Sequence, residues 1–224
     1  MTSMKYENIR RNLEIIREKI EKAKSKRKTN KNEITIVAVT KTADIDDIQT
    51  VYEMGIQHFG ENRVELLSEK AKQLSNEIQW HMIGTIQRRK IPSILDCCKY
   101  IDSVDRIEVA ETLHKKAMER GITEVPILIQ LNISGEDTKH GFRVSDFEDI
   151  FDKISSYHTL IIRGLMTIAP LNADEKTLRN IFSKLKDIGD KYKLETLSMG
   201  MSDDYEIAIE EGATEIRLGR AIFG

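Results

Sequence analysis

Apolar positions along this chain follow two alternating periods. Ile9, Leu13, Ile16, Ile20 and Ala23 recur at three- and four-residue steps among charged residues, which predicts an amphipathic helix over residues 4–25. The run ITIVAV (34–39) has no polar face and is rich in β-branched residues, the mark of a strand buried on both sides. Short apolar runs and helical patterns then alternate to the end of the chain. Strands are predicted at 56–60, 78–84, 100–104, 125–133, 161–169, 194–200 and 214–219. Helices are predicted at 44–55, 61–75, 87–98, 106–121, 144–157, 174–192 and 203–212. YIDSV (100–104) is the weakest of the strands, and Pro92 is expected to kink or delay its helix.

This makes eight strands, each but the last followed by a helix, with one helix in front. Strand–helix alternation implies a parallel sheet covered by helices, and eight strands can close a (β/α)₈ TIM barrel. The competing architecture is an open doubly wound sheet with a site where the strand order switches. The 224 residues suffice for one large core and do not require a second domain, so a single domain over 1–224 is expected.

Composition narrows the function classes. Hydrophobic residues make up 40% and charged residues 32%, a globular balance. The net charge of -2 speaks against a nucleic-acid binder, and the basic stretch SKRKTNKN (25–32) lacks interleaved aromatic residues, so a solvated connection is expected. No apolar run reaches membrane-spanning length, and the charged N-terminus lacks the apolar stretch of a signal peptide. Cys97 and Cys98 are adjacent and make no disulfide framework; free thiols in a reducing, cytoplasmic compartment are expected. No H-E-x-x-H pair, phosphate-binding glycine motif or G-x-S-x-G elbow is present.

In a (β/α)₈ barrel the functional groups gather where strands end. Lys41 follows the first strand directly. Desolvation there would favour the neutral amine that Schiff-base chemistry needs, whereas a lysine snorkelling from the rim would do nothing of the kind. Asn62 follows the second strand, His81 lies at the third, and Met199, Gly200 and Ser202 lie at the seventh. Gly200 and Gly219 permit close backbone approach, suiting a phosphate site between the last two loops. Ser202 precedes a helical run, where it could cap the helix, meet an anion, or both. Arg217, inside the last strand, could equally pair with a buried glutamate.

Several pieces carry a resemblance: AVTKT (38–42), HFGENRVEL (58–66), WHMIGTIQRRK (80–90), NISGEDTKHGF (132–142), GLMTIAP (164–170) and the 28 residues LSMGMSDDYEIAIEEGATEIRLGRAIFG (197–224). Together, and in this order, they resemble the pyridoxal phosphate homeostasis protein family, whose members are barrels similar to the N-terminal domain of alanine racemase. The resemblance implies pyridoxal 5'-phosphate held as a Schiff base on Lys41. It implies a phosphate cradle at Ser202 and the backbone of Gly219 and Arg220, and Arg217 facing the pyridine nitrogen. It also implies Asn62, His81 and Met199 around the ring or its approaches.

An arginine beside the pyridine nitrogen keeps its proton and weakens the ring as an electron sink. Racemases of this type draw an opposite-face tyrosine base from a second domain, and this chain ends at Gly224, so an open site for storing or delivering the cofactor is expected rather than an enzyme. Apo-enzymes that use the cofactor are candidate partners, and a monomer is expected. The alternative is a weak amino-acid enzyme, for which His81 would be the candidate second base. Thr40, Ala43 and Arg89 depart from the common family pattern; the RRK run at 88–90 is read as a solvated face.

Overall fold

The N-terminal helix α1 (Thr2–Ser25) buries Ile9, Leu13, Ile16, Ile20 and Ala23, the stripe that its periodicity marks out. It packs across α2 (Ile45–Glu53), α8 (Tyr205–Glu210) and α9 (Arg220–Phe223), over the seam where the first and last strands meet. Asn12 fixes it there by donating to the Ile222 carbonyl at 3.0 Å, and Arg17 donates to the Met54 carbonyl at 2.7 Å. This computed structural model describes residues 2–27, 33–136 and 138–224; most of the predicted basic connection falls outside them.

The strands are β1 (Thr35–Val39), β2 (His58–Glu61), β3 (Gln79–Met82), β4 (Tyr100–Val104), β5 (Val125–Asn132), β6 (Phe142–Arg143), β7 (Leu160–Met166), β8 (Thr196–Ser198) and β9 (Glu215–Leu218). All described pairings are parallel. The order β4-β3-β2-β1-β9-β8-β7-β5 returns on itself through a β4–β5 pairing, so eight strands close a barrel and the open doubly wound sheet is excluded. The weak segment YIDSV forms β4 over its whole predicted length.

Three features depart from the sequence reading. The last strand is followed by a helix after all, the single turn α9. A two-residue strand, β6, pairs with Leu131 and Asn132 at the far end of β5, which is long enough to outrun the barrel. Two helices also begin as 3₁₀ turns, Arg88–Lys90 before α4 (Ile91–Cys97) and Val144–Asp146 before α6 (Phe147–Ser155). Pro92 occupies the first turn of α4, where its missing N–H has no partner to lose. The RRK run at 88–90 has no buried residue, and Lys90 pairs with Glu65.

The apolar core lies between strands and helices. Ala38, Phe59, Trp80, Ile101, Ile127, Leu165, Leu197 and Ile216 face outward into it. It is completed from outside by α3 (Val64–Ala71), α5 (Ile107–Glu119) and α7 (Glu175–Lys191), through residues such as Leu67, Leu113 and Phe182. Because side chains alternate along a strand, the intervening residues face the barrel interior. These include Val37 of β1, His81 of β3, Asp102 of β4, Met166 of β7, and Glu215 and Arg217 of β9.

Candidate functional site

The carboxyl ends of β8, β9 and β1 are neighbours on the rim. Arg217 is in register with Val37, and a Cβ built on Gly219 would stand 3.5 Å from the Val39 carbonyl, so Gly219 leaves its strand level with Val39, two residues before Lys41 on the adjacent strand. The Arg217 amide donates to the Gly200 carbonyl at 3.0 Å, which ties in the end of β8. Gly200 has φ +94, and a side chain there would collide with Ala208 and Tyr205.

Lys41 sits at the tip of a turn closed by the Ala43 N–H on the Thr40 carbonyl, 3.0 Å. The turn is anchored on both sides. Downstream, Asp44 and Asp47 form a capping box that starts α2, and Lys5 of α1 pairs with both carboxylates at 2.8 Å. Upstream, Thr40 is fully buried. Its hydroxyl donates to Glu61 Oε2 at 2.9 Å, and its carbonyl accepts from Lys70 Nζ of α3 at 2.6 Å. Lys70 also reaches Glu61 Oε2 at 2.9 Å, while Glu61 Oε1 accepts the Asn62 N–H at 2.9 Å. A buried, fully bonded carboxylate thus pins the residue before Lys41. Lys41 itself is exposed. The expected desolvation is not met, because a turn displays the side chain above the mouth instead of leaving it in the strand.

Ser202 does not cap the helix that follows it. Its Oγ accepts the Ala221 N–H of α9 at 3.1 Å, bridging the loops after β8 and β9. The side chain of Arg220 is engaged outward with Asp203. Arg217 is buried, and it donates from Nη1 to Ser198 Oγ at 2.6 Å and from Nη2 to the Thr167 carbonyl at 2.8 Å. Burial pushes its pKa down, and Glu215, Asp102 and Asp204 pull it back up.

The remaining expected residues separate. Asn62 is exposed and lines a pocket of ≈ 440 Å³ across the mouth, with Ile83, Gly84, Gln130 and Asn132. Gly84 has no room for a side chain, since a Cβ would stand 2.2 Å from the Asn62 carbonyl oxygen. Neither Lys41 nor Ser202 lines that pocket. Met199 does not face the mouth: it is fully buried in the apolar core, because it falls on the outward parity after Ser198. His81 is likewise not at the approaches. It is 2% exposed inside the barrel, with Nδ1 2.6 Å from Asp102 Oδ2 and Nε2 2.9 Å from His58 Nδ1. Both nitrogens are engaged, so it offers no free base to the rim.

Sequence reasoning gave no role to Glu61, Lys70, Asp102 or Glu215. Lys70 looks like an ordinary surface lysine of α3. Asp102 and Glu215 carried a detectable signal, being acidic residues within apolar strands. Cys97 and Cys98 are free and partly buried; the bond from Cys98 holds the Cys97 thiol down at about 7.

The sequence profile of the family "Alanine racemase, N-terminal domain" matches residues 5–224. The pyridoxal phosphate homeostasis protein of Haemophilus influenzae is 35% identical, over 97% of this chain and 95% of that one. The protein of the same name from Aquifex aeolicus is 33% identical, over 92% and 93%. Among solved structures, PipY of Synechococcus elongatus PCC7942 with PLP bound superposes with a TM-score of 0.83 at 29% identity, covering 96% of this chain and 100% of that one. Alanine racemase from Clostridium difficile 630 shares the fold, with a TM-score of 0.72 at 14% identity over 97% of this chain and 56% of its own length.

Proposed function

The chain belongs to the pyridoxal phosphate homeostasis protein family, and from that premise we propose that it binds pyridoxal 5'-phosphate on Lys41 and holds it for storage or delivery. The observation that carries this reading is the convergence of Lys41, Ser202, Arg217 and the Gly219–Arg220 backbone on three neighbouring strand ends. The donor set fits the group. The Ser202 hydroxyl and the backbone at Gly219 and Arg220 suit a phosphate, and Arg217 has five N–H donors for a ring nitrogen and its two protein acceptors. When bound, the cofactor supplies an aldehyde that condenses reversibly with a lysine amine.

The chain's own residues then do three things. Glu61 and Lys70 hold the Thr40 peptide and so aim Lys41. Ser202 and Ala221 join the two loops that would hold the phosphate. Arg217, unable to give up its proton, would donate to a ring nitrogen and disfavour its protonation. An exposed Lys41 suits a ligand that must leave as well as enter, and turnover gains nothing from a site left open to water.

A carrier rather than an enzyme accords with the engaged nitrogens of His81, the sequence's candidate second base. In this reading the protein is a single-domain cytoplasmic monomer that hands the cofactor to apo-enzymes. The free thiols accord with a reducing compartment, and among the described residues no helix is long and apolar enough to cross a membrane.

The test is borohydride reduction of the cofactor-loaded protein followed by peptide mapping. A pyridoxyl group on Lys41 is expected; an unmodified Lys41 in saturating cofactor overturns the proposal. Sedimentation at micromolar concentration checks the monomer.

A further inference from the structure

Eight-stranded barrels of this kind fill their interior with branched apolar side chains. In this barrel His81, Asp102, Glu215 and Arg217 occupy the interior from β3, β4 and β9, each 5% exposed or less. One nitrogen of His81 and one oxygen from each of Asp102 and Glu215 lie within 4.8 Å of one another. The contacts continue downward. His81 Nε2 meets His58 Nδ1 at 2.9 Å, Tyr100 stacks on the His81 ring at 4.5 Å, and His58 is only partly buried at the start of β2, toward the face opposite the cofactor rim. At the start of β9, Glu215 Oε1 is buried with no hydrogen-bond partner among the described residues. An unpartnered carboxylate oxygen in such a place is costly when ionised, and a proton relieves that cost.

The charges nearly balance. Arg217 stays cationic. With both carboxylates ionised and His81 protonated the set is neutral, and one proton more or fewer leaves a net unit charge inside the barrel. We propose that His81, Asp102 and Glu215 share a mobile proton, exchanged with the opposite face of the barrel through His58, and that this proton sets how strongly Arg217 is drawn inward, away from a ligand at the mouth. In transit, a proton taken up at His58 Nε2 is matched by release from Nδ1 to His81 Nε2, and His81 passes its Nδ1 proton to Asp102. Only the effect on the ligand rests on the cofactor reading; the shared proton does not.

The electrostatics agree with this geometry. Burial and the Asp102 charge push Glu215 up to about 7. Burial works to lower His81, but Asp102, by charge and hydrogen bond, and Glu215 lift it above its ordinary value. Burial and His81 hold His58 down at about 4, so it passes a proton on rather than keeping it. Among the described residues, the other charged or titratable groups acting on the set are Tyr100 of β4, on the His81 ring, Cys98 just before β4, on Asp102, and Asp204 ahead of α8, on Arg217. The inward residues Val37, Gln130, Met166 and Ser198, from β1, β5, β7 and β8, carry no charge.

The test begins with cofactor-free protein carrying isotope-labelled histidine. The His81 ring shifts are followed from pH 5.5 to 9, and the metal content of the same sample is measured. A titration within that range is expected, and in Glu215→Gln its midpoint falls by roughly one unit, because the negative neighbour is gone. A ring locked in one state throughout, superimposable wild-type and variant curves, or a stoichiometric divalent metal would each overturn the shared proton. His58→Gln, a change nearer solvent, provides a second handle. Proton exchange at His81 is expected to slow at least about tenfold, a rate effect of roughly 1.4 kcal/mol, with little change in midpoint. Unchanged exchange removes the route through His58. In loaded protein, the ratio of cofactor dissociation constants for wild type and Glu215→Gln is expected to vary with pH along the His81 curve. A constant ratio removes the effect on Arg217, and absence of binding defeats the cofactor reading while leaving the first experiment standing.

Discussion

The two faces of the barrel strands make different kinds of protein. Outward, Phe59, Trp80, Ile127, Leu165 and Ile216 meet the helices in a continuous apolar layer. Inward, the same strands carry His81, Asp102, Glu215 and Arg217, held by hydrogen bonds and charge. The outer face is stabilised by area removed from water, a term that does not depend on pH. The inner face depends on geometry and on protonation. The contrast teaches that stability and ligand handling can sit on one set of strands, one residue out of phase.

Mutations on the two faces should therefore behave differently. The largest loss is expected on the outer face: Phe59→Ala removes a fully buried ring and costs about 3–5 kcal/mol, read from denaturant midpoints and equal at pH 6 and 8. A pH-dependent loss there would blur the contrast. At the mouth, Lys70→Met leaves the buried Glu61 carboxylate without its cation and costs about 3 kcal/mol. It also weakens cofactor binding by loosening Thr40, and Lys70→Arg restores part of both.

The inner face is expected to respond with the opposite sign. The folded-state pKa of Glu215 lies near 7, above the usual carboxylate range. Its contribution to stability is therefore complete below the unfolded value and is lost as pH rises through about 7. Glu215→Gln should flatten that slope and gain on the order of 3 kcal/mol over wild type at pH 8.5, measured by urea unfolding at several pH values. The smallest effect on stability is expected at Lys41→Ala, an exposed turn position. It should leave the denaturation midpoint unchanged and abolish covalent retention of the cofactor.

Much of the fold was legible because period is a local property. The run at 34–39 and the stripe from Ile9 to Ala23 announce a strand and a helix with no knowledge of their partners. Even YIDSV, with a polar centre, is a strand over its predicted span. Its Asp102 was an unused clue to the interior, since an acid in an apolar strand has to face something. Parity was less legible. Met199 and His81 sit close to the mouth in sequence, yet one faces the outer core and the other the barrel interior. The short β6 and α9 carry too few residues to show a period.

By itself the sequence determined the eight barrel strands, the helices after the first seven of them, the placement of Lys41 and Ser202 at strand ends, and the family. It could do so because propensity, periodicity and motif order are written residue by residue. Only the tertiary structure decided that Lys41 is displayed on a pinned turn, that Ser202 bonds to α9 instead of capping α8, and that Glu61 and Lys70 stand behind Thr40. It also brought together His81, Asp102 and Glu215 from strands far apart in the chain. Those arrangements depend on strand register and on closure of β4 against β5. Register couples residues up to a hundred or more positions apart, and no local pattern carries that information.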